Sequence, residues 1–262
     1  MLTETNHLSE LYSNYERCEK KEQKATLLCI SEWESQARDA QITPTGDWNI
    51  WLILAGRGWG KTRTGAQDII TYALENEGVN CAVIAPTFGD LKRVAFGGVS
   101  GIMSLIPREC LISGSGQGYN ASSQEIRLKN GSKINGFSAQ EPERLRGPQF
   151  HRAWCDELAA WRYPEAFDQL LFGLRLGKNP QCVITTTPKP TNLIKSLLDK
   201  PDVVITTGST FDNAENLAPS ALTALKEKYG GTTLGRQELY AEIVEDVEGA
   251  LWTRDELEQT RI

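Results

Sequence analysis

A glycine-rich stretch that ends in lysine and threonine is the part of this sequence whose residue types and spacing most directly predict chemistry. Glycines allow a tight backbone path on which successive N–H groups point inward at an anion, and the dipole of a following helix favours negative charge there. Lys61 is placed to reach the β- and γ-phosphates of a nucleotide, and the Thr62 hydroxyl to ligate Mg²⁺. The predicted phosphate loop comprises Ala55, Gly56, Arg57, Gly58, Trp59, Gly60, Lys61 and Thr62.

This loop departs at one position from the G-x-x-x-x-G-K-[ST] pattern, because Ala55 stands where the pattern has its first glycine. Alanine still turns there, at some steric cost. Six apolar residues at 50–55 predict a strand buried on both faces, and residues 64–70 continue as a helix. This setting favours a nucleotide-binding loop over an ordinary glycine-rich turn.

Two adjacent carboxylates, Asp156 and Glu157, follow a short apolar stretch. In a phosphate-loop enzyme the first would hold Mg²⁺ through water, and the second would orient and polarise the attacking water. Adjacent residues at a strand end point in different directions, so they can serve these two tasks separately. We expect the preceding strand to be weak, since His151 and Arg152 interrupt its apolar run.

Hydroxyls and guanidinium groups supply the remaining candidates. Thr185, Thr186 and Thr187 end the next predicted strand, where they can sense the γ-phosphate and pass its loss onward, although threonine is also simply a good strand residue. Transition-state charge on a phosphoryl group requires a guanidinium, and Arg57 and Arg146 are the candidates, with Arg144 of the same loop as the alternative to Arg146. For either arginine, a surface ion pair explains the sequence equally well.

Residues 38–48 form a predicted loop, broken by Pro44 and Gly46, just upstream of the phosphate loop. Loops in this position commonly carry the groups that read a nucleotide base. The Gln41 amide can pair with the edge of adenine, with Arg38 stacking or hydrogen-bonding beside it. A solvated linker is the alternative, and this stretch alone does not separate the two.

Composition limits the class of protein. The 262 residues, 24% charged and 40% hydrophobic, suit one large domain, and neither a signal-peptide core nor a membrane-length apolar run is present. We therefore expect a cytosolic protein without membrane contact. The six cysteines show no C-x-x-C spacing and histidines number two, which favours free buried thiols over a metal site or disulfides. A net charge of −6 argues against a surface coated for DNA binding but permits a local basic rim.

Short apolar strands alternate with helical stretches, which predicts an open, mostly parallel α/β sheet with ligands at the carboxyl ends of its strands. Beyond 212 the pattern becomes helical without a core of its own, so we expect a small lid leaning on the sheet. The predicted strands are 50–55, 80–85, 153–155, 182–185 and 203–206, with a hairpin at 124–137 and helices at 1–40, 89–105, 221–229 and 232–247.

These motifs together resemble the ATPase domain of tailed-bacteriophage large terminases, over roughly residues 33 to 252. The terminal run Gly249 to Trp252 resembles the family's linker to its nuclease domain. The other matching residues are Gln41, Pro44, Asp47 and Trp48, the loop 55–62, the loop 145–148, the stretch 156–159 and the stretch 185–188.

The resemblance implies a P-loop fold of the ASCE, RecA-like class, with an open, mostly parallel sheet flanked by helices. It implies a helical lead-in with an adenine-side loop at 1–45, an ATPase core at 46–211, a helical lid subdomain at 212–247 and a linker stub at 248–262. We expect nuclease activity only in a domain beyond this stub.

The implied activity is Mg²⁺-dependent ATP hydrolysis that drives double-stranded DNA through a portal protein into a procapsid, in the host cell cytoplasm. The implied partners include the small terminase subunit and further copies of the chain in a pentameric ring, with the isolated fragment monomeric. The resemblance assigns adenine recognition to Gln41, and the binding of phosphate and Mg²⁺ to Lys61 and Thr62. It assigns the metal to Asp156, the catalytic water to Glu157, and the coupling of hydrolysis to movement to Thr185–Thr187. Arg146 becomes an arginine finger, which inserts its guanidinium into the nucleotide site of the neighbouring subunit.

Two other functions also fit parts of the sequence. A superfamily 2 helicase is one, because the stretch 156–159 resembles its D-E-x-x box and Thr185–Thr187 its S-A-T motif, but such helicases need a second similar domain. A regulator that binds ATP without hydrolysing it is the other. Glu157 argues against this regulator, because binding alone does not use a water-orienting carboxylate.

Overall fold

The structure, a computed structural model, describes residues 20–113 and 118–244. These residues form an eight-stranded sheet in the order β3-β4-β5-β2-β6-β7-β1-β8. Strand β4 runs antiparallel to β3 and β5, and every other neighbouring pair is parallel. The strands are β1 (Ile50–Ala55), β2 (Asn80–Ala85), β3 (Tyr119–Asn120), β4 (Glu125–Arg127), β5 (Lys133–Ser138), β6 (Arg152–Asp156), β7 (Gln181–Thr186) and β8 (Val203–Gly208).

Helices cover both faces of this sheet, so the central strands β1, β6 and β7 are buried along their whole length. Within the described ranges every helix is too short or too polar to cross a lipid bilayer. The helices are α1 (Lys21–Gln36), α2 (Lys61–Glu75), α3 (Ile102–Leu105), α4 (Glu165–Gly173), α5 (Asn192–Leu198), α6 (Pro219–Tyr229) and α7 (Thr233–Glu238).

The predicted mostly parallel α/β sheet, its five apolar strands and the helix at 221–229 are confirmed. The hairpin at 124–137 is confirmed as β4 and β5, which turn at Asn130 and Gly131. Of the lead-in at 1–40, α1 is observed, while residues 1–19 lie outside the described residues. The predicted linker at 248–262 also lies outside them.

The predicted helix at 89–105 is wrong as a single element. A helical turn at Phe88–Asp90 leads into a π-helix at Leu91–Phe96, the chain then turns, and α3 follows. Glycines make this turn possible, because a Cβ on Gly101 would lie 2.6 Å from the Val94 carbonyl oxygen. The backbone therefore folds back on itself more closely than any other residue allows.

The predicted helix at 232–247 is also too long. Helix α7 ends at Glu238, and Ala241 has a left-handed backbone with φ of 58°. An L-residue in that conformation does not continue an α-helix. Residues 245–247 of this prediction lie outside the described residues.

Strand β6 is central and fully buried, so the expectation of a weak strand is wrong. Arg152, which begins it, is only 3% exposed because its guanidinium is paired with Asp68 of α2, at 2.9 Å from Nε to Oδ2. The guanidinium also lies 4.7 Å from the Trp48 ring centroid. The buried charge is thus balanced by a carboxylate and an aromatic face, and joins α2 to β6.

Helix α2 packs on β6 through a glycine. A Cβ on Gly65 would lie 2.2 Å from Nε1 of the buried Trp154, whose indole N–H donates to the Thr185 hydroxyl at 2.8 Å. The missing side chain therefore sets how closely the helix that follows the phosphate loop approaches the strand that ends in Asp156.

We predict that Gly65→Ala destabilises the protein by about 1–3 kcal/mol through overpacking, although alanine in a helix ordinarily stabilises relative to glycine. Gly89→Ala is the matched control, because its Cβ would meet first the end of the exposed, flexible Arg93 side chain. Urea unfolding measures both variants. A Gly65→Ala protein as stable as Gly89→Ala would contradict this packing constraint.

Candidate functional site

The carboxyl ends of β1, β7 and β6 lie side by side and bring the predicted site residues together. Strand β7 lies between β1 and β6, so that Thr185 is in register with both Ile53 and Asp156. The phosphate loop leaves β1 at this edge and enters α2 at Lys61. Gly58 and Gly60 have φ of 79° and 106°, which is the left-handed conformation that glycine adopts without strain.

Lys61 turns back into the loop from which it emerges. Its buried ammonium donates to the carbonyls of Ala55 at 2.9 Å and Gly56 at 3.1 Å, and lies 3.6 Å from Oε1 of Glu157. In the part of the chain that the structure describes, the N–H groups of Gly58 and Gly60 donate to no backbone carbonyl. The loop thus combines a buried cation with N–H groups that are available to an anion.

The two carboxylates diverge, as predicted from their adjacent positions. Asp156 is buried and accepts a hydrogen bond from the Thr185 hydroxyl at 2.9 Å. Glu157 has φ of 47°, unusual for a residue other than glycine, and its Oε2 accepts from the Thr187 N–H at 3.3 Å. The left-handed turn directs Glu157 away from Asp156 and toward Lys61.

Burial and the neighbouring Glu157 carboxylate raise the pKa of Asp156 to about 7. The hydrogen bond from Thr185 and the charge of Lys61 act in the opposite direction but do not cancel the effect. A carboxylate that is costly to ionise in the nucleotide-free protein is one that gains from an added cation.

Thr185 and Thr186 of β7, and Thr187 just after it, all contact the segment 156–159 that carries the two carboxylates. Thr185 accepts from the Trp154 indole and donates to Asp156, while Thr186 accepts from the Ala159 N–H at 3.0 Å. Thr187 is 8% exposed and faces Glu157. These contacts connect the end of β7 to both carboxylates.

Two residues of the predicted base-side loop are packed against the phosphate loop and the helix that follows it, while residues 39, 40, 42 and 45–47 are exposed. Gln41 is 6% exposed, donates through Nε2 to the Thr64 hydroxyl at 3.0 Å, and accepts through Oε1 from the Arg38 N–H at 3.3 Å. The Arg38 guanidinium donates to the Trp59 carbonyl and lies 5.0 Å from the Trp59 ring centroid. Both residues therefore contact the phosphate loop or the helix that follows it.

The two candidate arginines are both exposed and ion-paired. Arg57, with a side chain 76% exposed, lies 3.5 Å from Glu238 of α7. Arg146, 70% exposed, lies 3.1 Å from Glu143, one turn earlier in its own loop. Exposed pairs of this kind contribute little to stability, so they leave either guanidinium available to another partner.

Sequence reasoning missed the contacts that the C-terminal segment makes with the phosphate loop. Trp59 is buried over Gly208 at the end of β8, and the Arg57 N–H donates to the Glu238 carbonyl at 2.7 Å. Thr210 and Asn213 donate to carbonyls of the loop. No local pattern reveals these contacts, because the partners lie about 150 residues apart.

Among the described residues, no group of three or more His, Cys, Asp and Glu side chains could hold a metal. Five cysteines are free and buried, as predicted, and Cys18 lies outside the described residues. His151 accepts the Asn80 N–H at 3.0 Å, which is a structural role.

Because the pKa of Asp156 is raised in the folded state, the native protein binds a proton there that the unfolded chain has released between about pH 4 and pH 7. The nucleotide-free protein should therefore lose stability, relative to Asp156→Asn, as the pH rises through this window. Urea unfolding of both proteins in Mg²⁺-free buffer at about pH 5 and about pH 8 measures the difference. A pH-independent difference would contradict the raised pKa.

A family model described as "Terminase large subunit, T4likevirus-type, N-terminal" matches residues 52–259. A comparison with curated protein sequences found no match.

Among solved structures, the large terminase ATPase domain of Thermus phage P74-26 matches with a TM-score of 0.62 and 16% identity, over 80% of this chain and 94% of that one. The large terminase of a thermophilic bacteriophage in complex with ATP-gamma-S gives 0.57 and 17%, covering 85% and 53%. The HK97 bacteriophage large terminase gives 0.61 and 14%, covering 86% and 50%. These likenesses establish the fold, and this chain spans about half the length of the last two proteins.

Proposed function

Since this chain belongs to the family of T4likevirus-type terminase large subunits, we propose that it hydrolyses ATP to move double-stranded DNA into a procapsid. The observation that carries the proposal is the Glu157 carboxylate, 3.6 Å from the Lys61 ammonium and held by the Thr187 N–H. A loop that only bound nucleotide would have no use for a carboxylate at this position. Two matched terminase structures, described as complexes with ATP-gamma-S and ADP, give the proposal further support.

In this proposal the loop N–H groups and Lys61 bind the phosphates, and Glu157 orients and polarises the attacking water. Lys61 would exchange its contacts with the Ala55 and Gly56 carbonyls for phosphate oxygens. Glu157 is 35% exposed, so water reaches it, while the Thr187 N–H limits its rotation. These residues place a nucleophile-activating group beside the phosphate loop.

The residues at the site also fit Mg²⁺, with Thr62 as a proposed ligand and Asp156 holding the metal through water. Mg²⁺ prefers oxygen ligands and keeps several waters, so a hydroxyl and one carboxylate suffice on the protein side. Thr62 is partly exposed, and the raised pKa of Asp156 marks a carboxylate that lacks a compensating cation. When bound, the metal would neutralise charge on the phosphates.

We assign adenine recognition to Gln41 with Arg38 beside it, and coupling to Thr185, Thr186 and Thr187. Gln41 is anchored to Thr64, one turn from Lys61, so a base bound against it lies near the phosphates. The threonines contact both carboxylates. Loss of the γ-phosphate would therefore alter these contacts and shift the end of β7. Residues 212–244, with α6 and α7, form the proposed lid.

The proposed assembly is a pentameric ring that engages DNA, the portal protein and the small terminase subunit in the host cytoplasm. A ring places one subunit's surface at the next subunit's nucleotide, and the exposed Arg146 is the proposed trans-acting finger. Arg57 is the alternative in cis. Its position in the loop and its contact with Glu238 support that second assignment.

We predict that Lys61→Ala abolishes nucleotide binding or turnover, whereas Glu157→Gln keeps ATP bound and stalls hydrolysis, because only the water-orienting group is lost. Phosphate release measures turnover, and calorimetry with Mg²⁺ and ATP measures binding. Glu77→Gln, the same change at an exposed glutamate in the turn before β2, is the matched control. Normal turnover in Glu157→Gln would show that another group activates the water.

For Arg146, we predict that replacement by alanine in the full-length assembled motor lowers turnover about a thousandfold or more, with little change in ATP affinity. Arg144→Ala is the matched comparison, since Arg144 lies in the same loop and forms a similar pair with Glu141 at 2.6 Å. Mixing Arg146→Ala with Glu157→Gln subunits should restore some activity at mixed interfaces. Demonstrated co-assembly without recovery would instead favour Arg57 in cis.

A further inference from the structure

Three successive carbonyl groups of the phosphate loop are each held by a side chain from outside the loop. Two of these side chains come from the segment that follows β8, and the third comes from the base-side loop. The pairs are the Thr210 hydroxyl with the Arg57 carbonyl at 2.7 Å, the Asn213 amide with the Gly58 carbonyl at 2.7 Å, and the Arg38 guanidinium with the Trp59 carbonyl.

Holding a carbonyl also orients the N–H of the next residue. In a trans peptide the C=O and the following N–H point in opposite directions, and the described chain contains no cis peptide. The N–H groups of Gly58, Trp59 and Gly60 must therefore turn away from the three outside side chains. That of Trp59 also makes a longer contact with the Gly56 carbonyl, at 3.3 Å. The N–H groups of Gly58 and Gly60, which donate to no backbone carbonyl in the described chain, are thereby left on the side of the loop opposite these donors, where an anion can accept from them.

The two side chains from the segment after β8 are themselves well fixed. Thr210 is fully buried. The Asn213 oxygen accepts from Arg38 at 2.8 Å and from the Asn216 amide at 2.9 Å. These two donors settle which way the Asn213 amide is oriented, so its nitrogen must face the Gly58 carbonyl. Asn213 thereby joins the base-side loop, the phosphate loop and the start of the proposed lid.

We propose that Thr210 and Asn213 are positioning residues that orient the phosphate-loop N–H groups toward the β-phosphate of a bound nucleotide. The inference rests on the proposed ATPase function. Neither side chain touches the nucleotide. Because the oriented N–H groups contact the phosphate both before and during the reaction, their loss weakens binding rather than turnover.

The test uses Thr210→Val and Asn213→Asp. Both remove the donor to the loop carbonyl with little change in volume, and the aspartate keeps an oxygen that can accept from Arg38 and Asn216. Thr223→Val is the matched control, because its hydroxyl also donates to a backbone carbonyl, that of Pro219 at 3.0 Å, but within α6. Each protein is titrated with ADP and with ATPγS, both with Mg²⁺, and KM and kcat are measured for ATP. Thermal unfolding monitors the fold. We expect the Asn213 variant to keep the wild-type Tm, because Asn213 is partly exposed.

We expect Kd for both nucleotides and KM to rise about tenfold or more in each variant, with kcat within about threefold and Thr223→Val unchanged. Wild-type affinity in both variants, while Lys61→Ala loses the nucleotide, overturns the inference and leaves the ATPase proposal standing. A fall in kcat at unchanged KM also overturns it. A wild-type chain that neither binds nor hydrolyses ATP in the presence of Mg²⁺ overturns the proposed function, and this inference with it.

Discussion

The Lys61 ammonium is buried within hydrogen-bonding reach of two carbonyls and close to Glu157, and the rest of the site depends on how this charge is balanced. Asp156, with a pKa raised to about 7, shares the negative charge of the site with Glu157. Both carboxylates are held by donors from the end of β7. Phosphates would add negative charge to this site and a metal would add positive charge, and these two contributions offset each other.

The sheet order makes this balance possible. Because β7 lies between β1 and β6, its threonines contact the carboxylates directly, and Lys61 of the phosphate loop reaches to within 3.6 Å of Glu157. The spacing between α2 and β6 is set by Gly65 against Trp154 and by the buried pair of Asp68 and Arg152. Lys61 and Asp156 thus belong to elements that are locked together at two points. Rigid placement of this kind is what catalytic groups require.

Those parts of the fold that depend on local patterns could be predicted from the sequence. The apolar run before the phosphate loop, the turn at Asn130 and Gly131, and the divergence of Asp156 and Glu157 all follow from spacing within a few residues. The burial of Arg152 could not be predicted, because its partner Asp68 lies 84 positions away and an isolated arginine favours the surface. The broken helix at 89–105 reflects close backbone approach at Gly101, which apolar periodicity does not reveal. Thr210 and Asn213 carry no chemical signature, and only the fold brings them to the loop.

The most direct measurement of the central claim is a structure of the Glu157→Gln chain with ATP and Mg²⁺. The account predicts that the phosphates lie on the N–H groups of residues 58–62 with Lys61 on the β- and γ-phosphates. It also predicts that the metal lies between Thr62 and Asp156, and that the substituted side chain at position 157 faces the γ-phosphate. Nucleotide bound elsewhere, or phosphates in this loop with position 157 turned away from them, would contradict the account.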